Sequence, residues 1–330
     1  MKQTNISVFI PHNGCKNTCS FCNQRTISGQ SDQITPDALY ELLKEQQPYL
    51  LKTDRQAQIA FFGGSFTAID RGYMCSLLEV AQKFVKKYPA QFVGIRCSTR
   101  PDCIDDEVLT VLKGYGMTAI ELGAQSMSDE VLTANRRGHS AEDVRRAAEL
   151  IKSYGFQLGL QMMTGLYKDT PESCIHTAEE FIKLSPDTVR IYPTVILKGT
   201  ELDDLRDKGI YKTFGFDETI DLCAELLAKF TEHNIPVIRM GLHASEDVER
   251  NMTGGVYHPA LREIVESRLF LERMVKATEE GGKYIFYTDK SNISKIIGQG
   301  GYNRTKLLEQ NITFKIKEEK GTDFRAERIF

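Results

Sequence analysis

The sequence predicts an α/β protein in which a partial or full (β/α) barrel is followed by a small βααβ unit. Short apolar or β-branched runs alternate with longer segments of helical periodicity, the pattern of βα units that build a parallel sheet. The texture of the sequence then changes after Met240. Of the 330 residues, 41% are hydrophobic and 26% are charged, and no window resembles a membrane span, so a fibre and a membrane-embedded protein are excluded.

The predicted barrel consists of seven candidate strands with helices between them. The strands cover residues 7–11, 58–62, 92–98, 118–122, 156–162, 188–192 and 236–240. The helices cover residues 36–47, 72–88, 105–115, 141–154, 171–184 and 216–233. Six or seven βα units over about 240 residues suit a full or partial barrel. A doubly wound open sheet is the competing architecture.

The residues after Met240 predict a connector and a second unit. Residues 244–255 are polar and end in a Gly pair, and a helical pattern covers 259–280. A boundary near Gly281 and Gly282 divides the chain into a barrel over 1–245, a helical connector over 246–282 and a final unit over 283–330. The final unit is predicted to contain strand KYIFYTD, helices over 291–297 and 302–310, and strand ITFKIKE.

The charge of the chain is unevenly distributed. The formal net charge is -3, but ten Lys or Arg stand against six Asp or Glu from Lys283 to Phe330, a local +4 that leaves -7 for the rest. This indicates that only the carboxyl-terminal unit is adapted to a polyanion, although chance variation could give the same split. The amino terminus lacks the apolar stretch of a secretory signal, so we expect a cytoplasmic protein.

Three of the eight cysteines give the strongest signal. Cys15, Cys19 and Cys22 lie in GCKNTCSFCNQ, on a loop directly after the first predicted strand, where a parallel barrel places its chemistry. The others are scattered, at Cys75, Cys97, Cys103, Cys174 and Cys223. Three thiolates can hold three irons of a 4Fe–4S cluster and leave the fourth iron open for another ligand. Zinc is the alternative, although the only nearby histidine, His12, comes before the run.

This cysteine spacing after a first strand resembles the radical S-adenosylmethionine (SAM) enzymes. The resemblance implies a 4Fe–4S cluster whose open iron chelates the amine and carboxylate of SAM, and a 5'-deoxyadenosyl radical that abstracts hydrogen from the substrate. Phe21 matches the family's aromatic residue near the adenine. Gly63, Gly64 and Ser65 follow the second strand, where the family keeps a Gly pair whose backbone approaches the methionine amine.

Four further residues extend the resemblance into later loops. Gln125 matches a Gln that contacts the cofactor, and Arg137 matches an Arg that meets its carboxylate, with Arg136 as a one-residue alternative. Ser98 and Gln161 stand where relatives often carry a carboxylate that binds the ribose, so both depart from the family pattern. Without the resemblance, each of the four would be interpreted as a polar residue of a loop or of the core edge.

Two segments narrow the resemblance, since RIYPTVILKGTELDDL and HPALREIVESR are similar to the Elongator catalytic subunit family, radical enzymes that modify wobble uridines of tRNA. The likeness covers roughly residues 6–268. The chain departs from that family in its tighter cysteine spacing, and it leaves no room for the family's acetyltransferase domain. The resemblance therefore implies only the radical half of such an enzyme. A more distant likeness to oxygen-independent coproporphyrinogen oxidases fits the same barrel motifs.

The last segment carries an independent signal. In ISKIIGQGGYNRTKLL, a loop separates two short helices and resembles a KH module; it consists of Gly298, Gln299, Gly300 and Gly301. A GxxG loop lets the backbone approach a nucleic-acid phosphate, and the helix start offers amide donors. The basic residues that would add charge around it are Lys295, Arg304 and Lys306. The alternative is a helical hairpin that needs glycine only for its turn.

These observations predict a radical SAM enzyme that acts on tRNA or another RNA. It would need an external one-electron reductant such as flavodoxin or ferredoxin, and a further protein partner is left open. Two other functions fit parts of the sequence: a radical oxidase or transferase acting on a small molecule, and a non-enzymatic RNA-binding protein whose iron–sulfur cluster is a sensor. The histidines, among them His139 and His243, are expected at the surface or in the core. Cys97, Cys103 and Tyr192 are interpreted as packing residues, with a position facing the cavity as the alternative.

Overall fold

The computed structural model describes residues 2–10, 13–15, 19–23, 26 and 32–329. His12, the histidine considered as a zinc ligand, lies outside these ranges. In the described ranges, seven parallel strands form one curled sheet whose order follows the chain, which confirms the predicted partial barrel and rules out a doubly wound sheet. The strands are β1 (Lys2–Ile10), β2 (Arg55–Gly63), β3 (Phe92–Thr99), β4 (Met117–Gln125), β5 (Gln157–Thr164), β6 (Thr188–Pro193) and β8 (Val237–Met240).

Helices connect these strands and continue into the rest of the chain. They are α1 (Pro36–Lys52), α2 (Arg71–Lys87), α3 (Asp106–Gly114), α4 (Asp129–Ala134), α5 (Ala141–Ser153), α6 (Pro171–Leu184), α7 (Glu201–Asp207), α8 (Phe216–Glu232), α9 (Glu246–Asn251), α10 (Leu261–Lys276), α11 (Ile293–Ile297) and α12 (Tyr302–Glu309). The hydroxyls of Thr35, Ser140 and Thr170 cap α1, α5 and α6 by accepting backbone N–H groups. No helix of the described part is long and apolar enough to cross a membrane.

The two faces of the curled sheet differ in polarity, and this difference positions the site. One set of alternate strand residues is apolar and buried in the main core, including Val8, Ile59, Ile120, Leu160 and Ile191. The other set carries polar and charged side chains, among them Arg96, Glu121, Gln161 and Arg190. A parallel sheet packed on both faces would be apolar on both. The polar face therefore borders a cavity and not a second layer of core.

A short two-stranded sheet closes one side of that cavity. β7 (Val195–Leu197) pairs antiparallel with β9 (Met252–Gly255). The sequence reading predicted neither strand, because each is only three or four residues long and lacks a full alternation of apolar and polar residues. Val195 and Leu197 line the cavity together with Val248 of α9.

The carboxyl-terminal unit is a three-stranded sheet with two short helices. β10 (Lys283–Thr288) is central, parallel to β11 (Thr313–Glu318) and antiparallel to β12 (Arg325–Arg328). The two predicted strands and two predicted helices are present, whereas β12 was not predicted because RAER is a charged edge strand. Helix α10 packs into both units: Leu261 and Val265 belong to the main core, and Phe270 and Met274 pack with Phe286.

Candidate active site

A cavity of about 370 Å³ lies on the polar side of the sheet, at the carboxyl ends of several strands. Barrel folds place their chemistry on the loops at this end. The residues selected from the sequence that line it are Cys15, Cys19, Phe21, Cys22, Gly63, Gly64, Ser98, Gln125, Arg137 and Gln161. Residues from six separate stretches of the sequence thus share one site.

The loop that carries the first cysteine is held by the turn after β2. The Gly64 N–H donates to the Ile10 carbonyl at 2.7 Å, and the Ser65 N–H donates to the Asn13 carbonyl at 3.0 Å. A Cβ on Gly64 would lie 1.9 Å from the Asn13 oxygen, and a Cβ on Gly14 would lie 2.2 Å from the Ser65 oxygen. Both positions require glycine because two backbones touch there.

Ser65 lies behind the cavity wall and joins two loops. It is buried, its hydroxyl lies 2.8 Å from the Thr99 hydroxyl, and it accepts the backbone N–H of Arg100 at 3.2 Å. The contacts of this side chain therefore connect the turn after β2 to the end of β3. Unlike the two glycines before it, Ser65 does not line the cavity among the described residues.

Arg137 links the cysteine loop to the sheet. Its Nη1 donates to Cys19 Sγ at 3.0 Å, its Nη2 donates to the Gly123 carbonyl at 2.5 Å, and its guanidinium lies 5.8 Å from the centre of the Phe21 ring. The same loop is fastened to the segment before Arg137, because the Ser20 hydroxyl donates to Asn135 Oδ1 at 2.7 Å. Arg136, the one-residue alternative, is exposed and pairs with Glu201 at 2.7 Å.

All three cysteines line one cavity, but their sulfur atoms do not surround a position where one metal ion could sit. In the ranges that the structure describes, no three His, Cys, Asp or Glu side chains are close enough together to hold one metal ion. Burial raises the pKa of the Cys15 thiol, the neighbouring Cys19 thiol raises it further, and the charges of Arg100 and Arg137 oppose the rise. Two arginines thus stabilise negative charge beside the thiols.

Three buried polar atoms at this end of the cavity have no partner among the described residues: Gln125 Oε1, Arg100 Nη1 and Arg137 Nε. Gln125 is 5% exposed, has φ of 70°, and its Oε1 accepts no hydrogen bond. Arg100 is also 5% exposed and pairs with Asp102 at 2.9 Å, but its Nη1 donates no hydrogen bond. Buried polar atoms are almost always paired, so an acceptor and two donors beside the cysteines indicate a ligand with both a donor and an anionic group.

Two protein-family models match consecutive parts of this chain. Residues 9–181 match the family model described as the Radical SAM superfamily, and residues 186–270 match the radical SAM C-terminal domain. The first match covers more than half of the chain. The chain belongs to the Radical SAM superfamily. Enzymes of this superfamily use a 4Fe–4S cluster and SAM, so the two predicted cofactors and the enzyme class are confirmed.

Curated relatives of this radical SAM enzyme include proteins of tRNA modification. The chain is 35% identical to the tRNA uridine(34) acetyltransferase of Methanocaldococcus infernus over 153 residues, which is 44% of this chain and 28% of that protein. It is 29% identical to Elongator complex protein 3 of Danio rerio over 202 residues, 60% of this chain and 36% of that protein. The chain therefore matches about a third, or less, of the length of these relatives.

Solved structures show the same fold. The structure of Methanocaldococcus infernus Elp3 with an N-terminal deletion superimposes with a TM-score of 0.64 at 22% identity, covering 83% of this chain and 63% of that one. Coproporphyrinogen III oxidase of Escherichia coli, a radical SAM enzyme, gives 0.50 at 21% identity and covers 70% and 53%. Both predicted resemblances, the nearer and the more distant, thus have counterparts among known structures. Zinc and a non-enzymatic sensor are not favoured by any of these matches.

The sequence reading missed a buried charge cluster on the polar face of the sheet. Glu121 is 2% exposed and forms ion pairs with Arg190 at 2.7 Å and Arg96 at 3.4 Å, and it accepts the Ser98 hydroxyl at 3.2 Å. The Ser98 hydroxyl is therefore already engaged by the carboxylate of Glu121 on the neighbouring strand. Gln161 is the register neighbour of Arg190 and lines the same wall.

A signal for this cluster was present in the sequence. Arg96 and Ser98 occupy alternate positions of β3, and Glu121 and Gln125 share one face of β4. Charged side chains at alternate positions of a parallel strand conflict with burial on both faces. Such alternation indicates a strand that borders a functional cavity.

His139 gives a prediction for the pH dependence of stability. It is buried, its Nε2 contacts the Ala124 carbonyl at 3.2 Å, and burial with the Arg137 charge lowers its pKa to about 4. The unfolded chain, in which the pKa is about 6.5, then binds more protons between these values, so stability should fall as the pH falls from 6.5 to 4. Relative to His139→Gln, the wild type should lose up to about 3 kcal/mol over this range.

Urea denaturation of the cluster-free chain at several pH values measures this difference. His139→Gln keeps a donor for the Ala124 carbonyl, so it removes the titration with little loss of hydrogen bonding. Parallel pH profiles for the two proteins would contradict the prediction.

Proposed function

We propose that the chain is a radical SAM enzyme whose substrate is RNA, with tRNA as the first candidate. The observation that carries the proposal is the 35% identity over 153 residues to a protein named tRNA uridine(34) acetyltransferase. The matched segment is less than a third of that relative's length, so its acetyl transfer is not carried over to this chain. The electron would come from an external donor such as flavodoxin or ferredoxin.

Cys15, Cys19 and Cys22 are the proposed cluster ligands. Thiolates are the ligands that iron–sulfur clusters require, and these three thiols face the same cavity. When bound, the cluster and SAM supply a one-electron cleavage that yields a 5'-deoxyadenosyl radical. Arg100 and Arg137 favour the thiolate form of Cys15 through their charge.

The polarity of the remaining cavity residues indicates which group of SAM each of them would contact. The unpaired Nη1 of Arg100 suits the SAM carboxylate, and the unpaired Oε1 of Gln125 suits a donor such as the SAM amine or a ribose hydroxyl. The Phe21 ring and the backbone of Gly63 and Gly64 form the adjoining wall. Ser98 and Gln161 line the cavity further along β3 and β5 and would meet the ribose or the substrate.

The loop of residues 298–301 is the proposed phosphate contact of the carboxyl-terminal unit. Gln299 and Gly300 are exposed, and φ is positive at Gly298, Gly300 and Gly301. Two of the three basic residues predicted around the loop are already in ion pairs, Lys295 with Glu266 at 2.8 Å and Lys306 with Glu309 at 2.9 Å. The N–H groups of Gly298 and Gly301 already donate to the Ser294 and Gly298 carbonyls. The main anion contacts proposed here are therefore the exposed loop tip at Gln299 and Gly300 and the guanidinium of Arg304, which lies 5.5 Å from the Phe314 ring centre.

Gly300 offers a test of this contact. A Cβ there would meet nothing within 4 Å, and φ is 58°, a conformation that Asp and Asn tolerate. Gly300→Asp should lower the affinity for bulk tRNA by about tenfold, because a carboxylate at the loop tip repels phosphate. Gly300→Asn is its uncharged isostere and should bind nearly as the wild type does.

Filter binding at fixed salt measures these affinities. Gly321→Asp places the same charge on another open loop glycine of the same unit and should have little effect. If Gly300→Asp and Gly321→Asp weaken tRNA binding equally, net charge and not the loop is responsible. If neither variant nor the wild type binds tRNA, the RNA proposal fails and a small-molecule substrate takes its place.

A further inference from the structure

We infer that the cavity contains a second subsite, beside β6 and β8, that binds the carboxylate or phosphate head group of a small organic anion. Arg190, Tyr192 and His243 line the cavity there, with an apolar wall from β7 and α9. Arg239 is the register partner of Arg190 on β8 and lies beside this lining. None of them has a proposed role in the cluster or in SAM binding. The inference goes beyond the proposed function and does not require RNA to be the substrate.

The arginines of this region outnumber the carboxylates that pair with them. Arg190 and Arg239 are register partners on neighbouring parallel strands, and Arg96 is buried on the same side of the sheet. Glu121 is the only carboxylate among the described residues that line the cavity, and it is already shared by Arg96 and Arg190. Arg239 has no ion pair within the described ranges, and its Nε donates to the Gly241 carbonyl at 2.8 Å. Arg190 thus shares its one carboxylate with Arg96, and Arg239 beside it pairs with none of the described carboxylates.

The positive charge of these arginines lowers the pKa of neighbouring basic groups. Burial lowers the pKa of Arg96 and Arg239, and the Arg190 charge lowers both further. Partial burial and the charges of Arg239 and Arg190 also lower the pKa of His243 at the mouth of the cavity. Holding cations together away from water is unfavourable unless an anion offsets them.

The cavity wall around these arginines combines a hydrogen-bond donor with apolar side chains. Arg190 Nη1 donates to the Tyr192 hydroxyl oxygen at 3.3 Å, which leaves the hydroxyl hydrogen available to a ligand. Opposite these donors, Val195, Leu197 and Val248 form an apolar surface. Cationic donors next to an apolar wall suit a ligand with an anionic head and a short hydrocarbon body.

The test uses the full chain with its cluster, kept anaerobic, and saturating SAM so that the cofactor end of the cavity is filled. Propionate binding is followed by saturation transfer to its methyl protons, and binding of inorganic phosphate by broadening of its phosphorus resonance. Saturable binding of propionate alone assigns a carboxylate head group, and binding of phosphate alone assigns a phosphate head group. Binding of both assigns a general anion subsite. Absence of saturable binding for both probes overturns the inference.

Variants locate the bound probe. Arg239→Gln should weaken binding by about tenfold or more, because it removes a charge-assisted donor, and Arg239→Lys should recover part of the loss. Arg250→Gln changes an exposed arginine of α9 that pairs with Glu246, and it should bind as the wild type does. Equal affinity in Arg239→Gln and wild type would overturn the location. The pKa of His243 should rise on binding in the wild type, because the anion offsets the arginine charges.

Discussion

Replacing Cys19 by alanine should reduce formation of 5'-deoxyadenosine from SAM to the level of a protein-free control. Cys19 is buried, lines the cavity and accepts a hydrogen bond from Arg137, so its loss removes a proposed cluster ligand. Even the outer partners of metal ligands cost about 10–100-fold when they are removed, so we expect a loss of at least about a hundredfold here. Iron and sulfide per chain should fall in parallel.

The matched control for this variant is Cys75→Ser. Cys75 is half-buried on α2 and does not line the cavity among the described residues. It should keep its cluster and its SAM cleavage after the same anaerobic reconstitution. A Cys19→Ala protein that loads iron and cleaves SAM like the Cys75→Ser control would remove Cys19 from the ligand set.

Gly64→Ala should strongly reduce both the stability of the fold and the loading of the cluster. The added Cβ would lie 1.9 Å from the Asn13 oxygen and 2.9 Å from two more backbone atoms of Asn13, which cannot move aside as a side-chain tip can. The loop that carries Cys15 must then separate from the turn after β2, losing the hydrogen bond from Ser65 to Asn13. We expect a loss of stability of about 1–3 kcal/mol and incomplete cluster loading.

Gly114→Ala is the control, because it makes the same change at the end of α3, where a Cβ meets nothing within 4 Å and φ is not positive. It should be neutral or stabilise the fold by up to about 1 kcal/mol. Thermal unfolding and iron content measure both variants. Should Gly64→Ala load a full cluster and melt with the wild type, the interlocked turns would not be what positions Cys15.

The barrel strands were predictable because short runs rich in apolar and β-branched residues alternate with segments of helical periodicity. The cysteines, Gln125 and Arg137 were found through motifs in fixed order, and all of them line one cavity. Ser65 was chosen by the same motif, but its hydroxyl contacts Thr99. That contact depends on how the ends of two strands pack, which no local pattern reveals.

Other features depend on contacts distant in sequence. The need for glycine at position 64 comes from Asn13, on a different loop, and was attributed to the approach of a ligand. The pairing of Lys295 with Glu266 depends on the packing of α11 against α10, so the charge expected around the 298–301 loop is partly neutralised. Glu121 and Arg190 were overlooked because each is a single charged residue in a mostly apolar strand, and their ion pair joins two strands that β5 separates in the sheet.

We propose that this chain cleaves SAM reductively and does so in response to RNA. The most direct measurement is the yield of 5'-deoxyadenosine from the anaerobically reconstituted, reduced protein, with and without bulk tRNA. We expect 5'-deoxyadenosine in both samples, with a several-fold higher yield in the presence of tRNA. Cleavage that is indifferent to tRNA would contradict the RNA substrate, and no cleavage by a fully loaded cluster would contradict the enzyme itself.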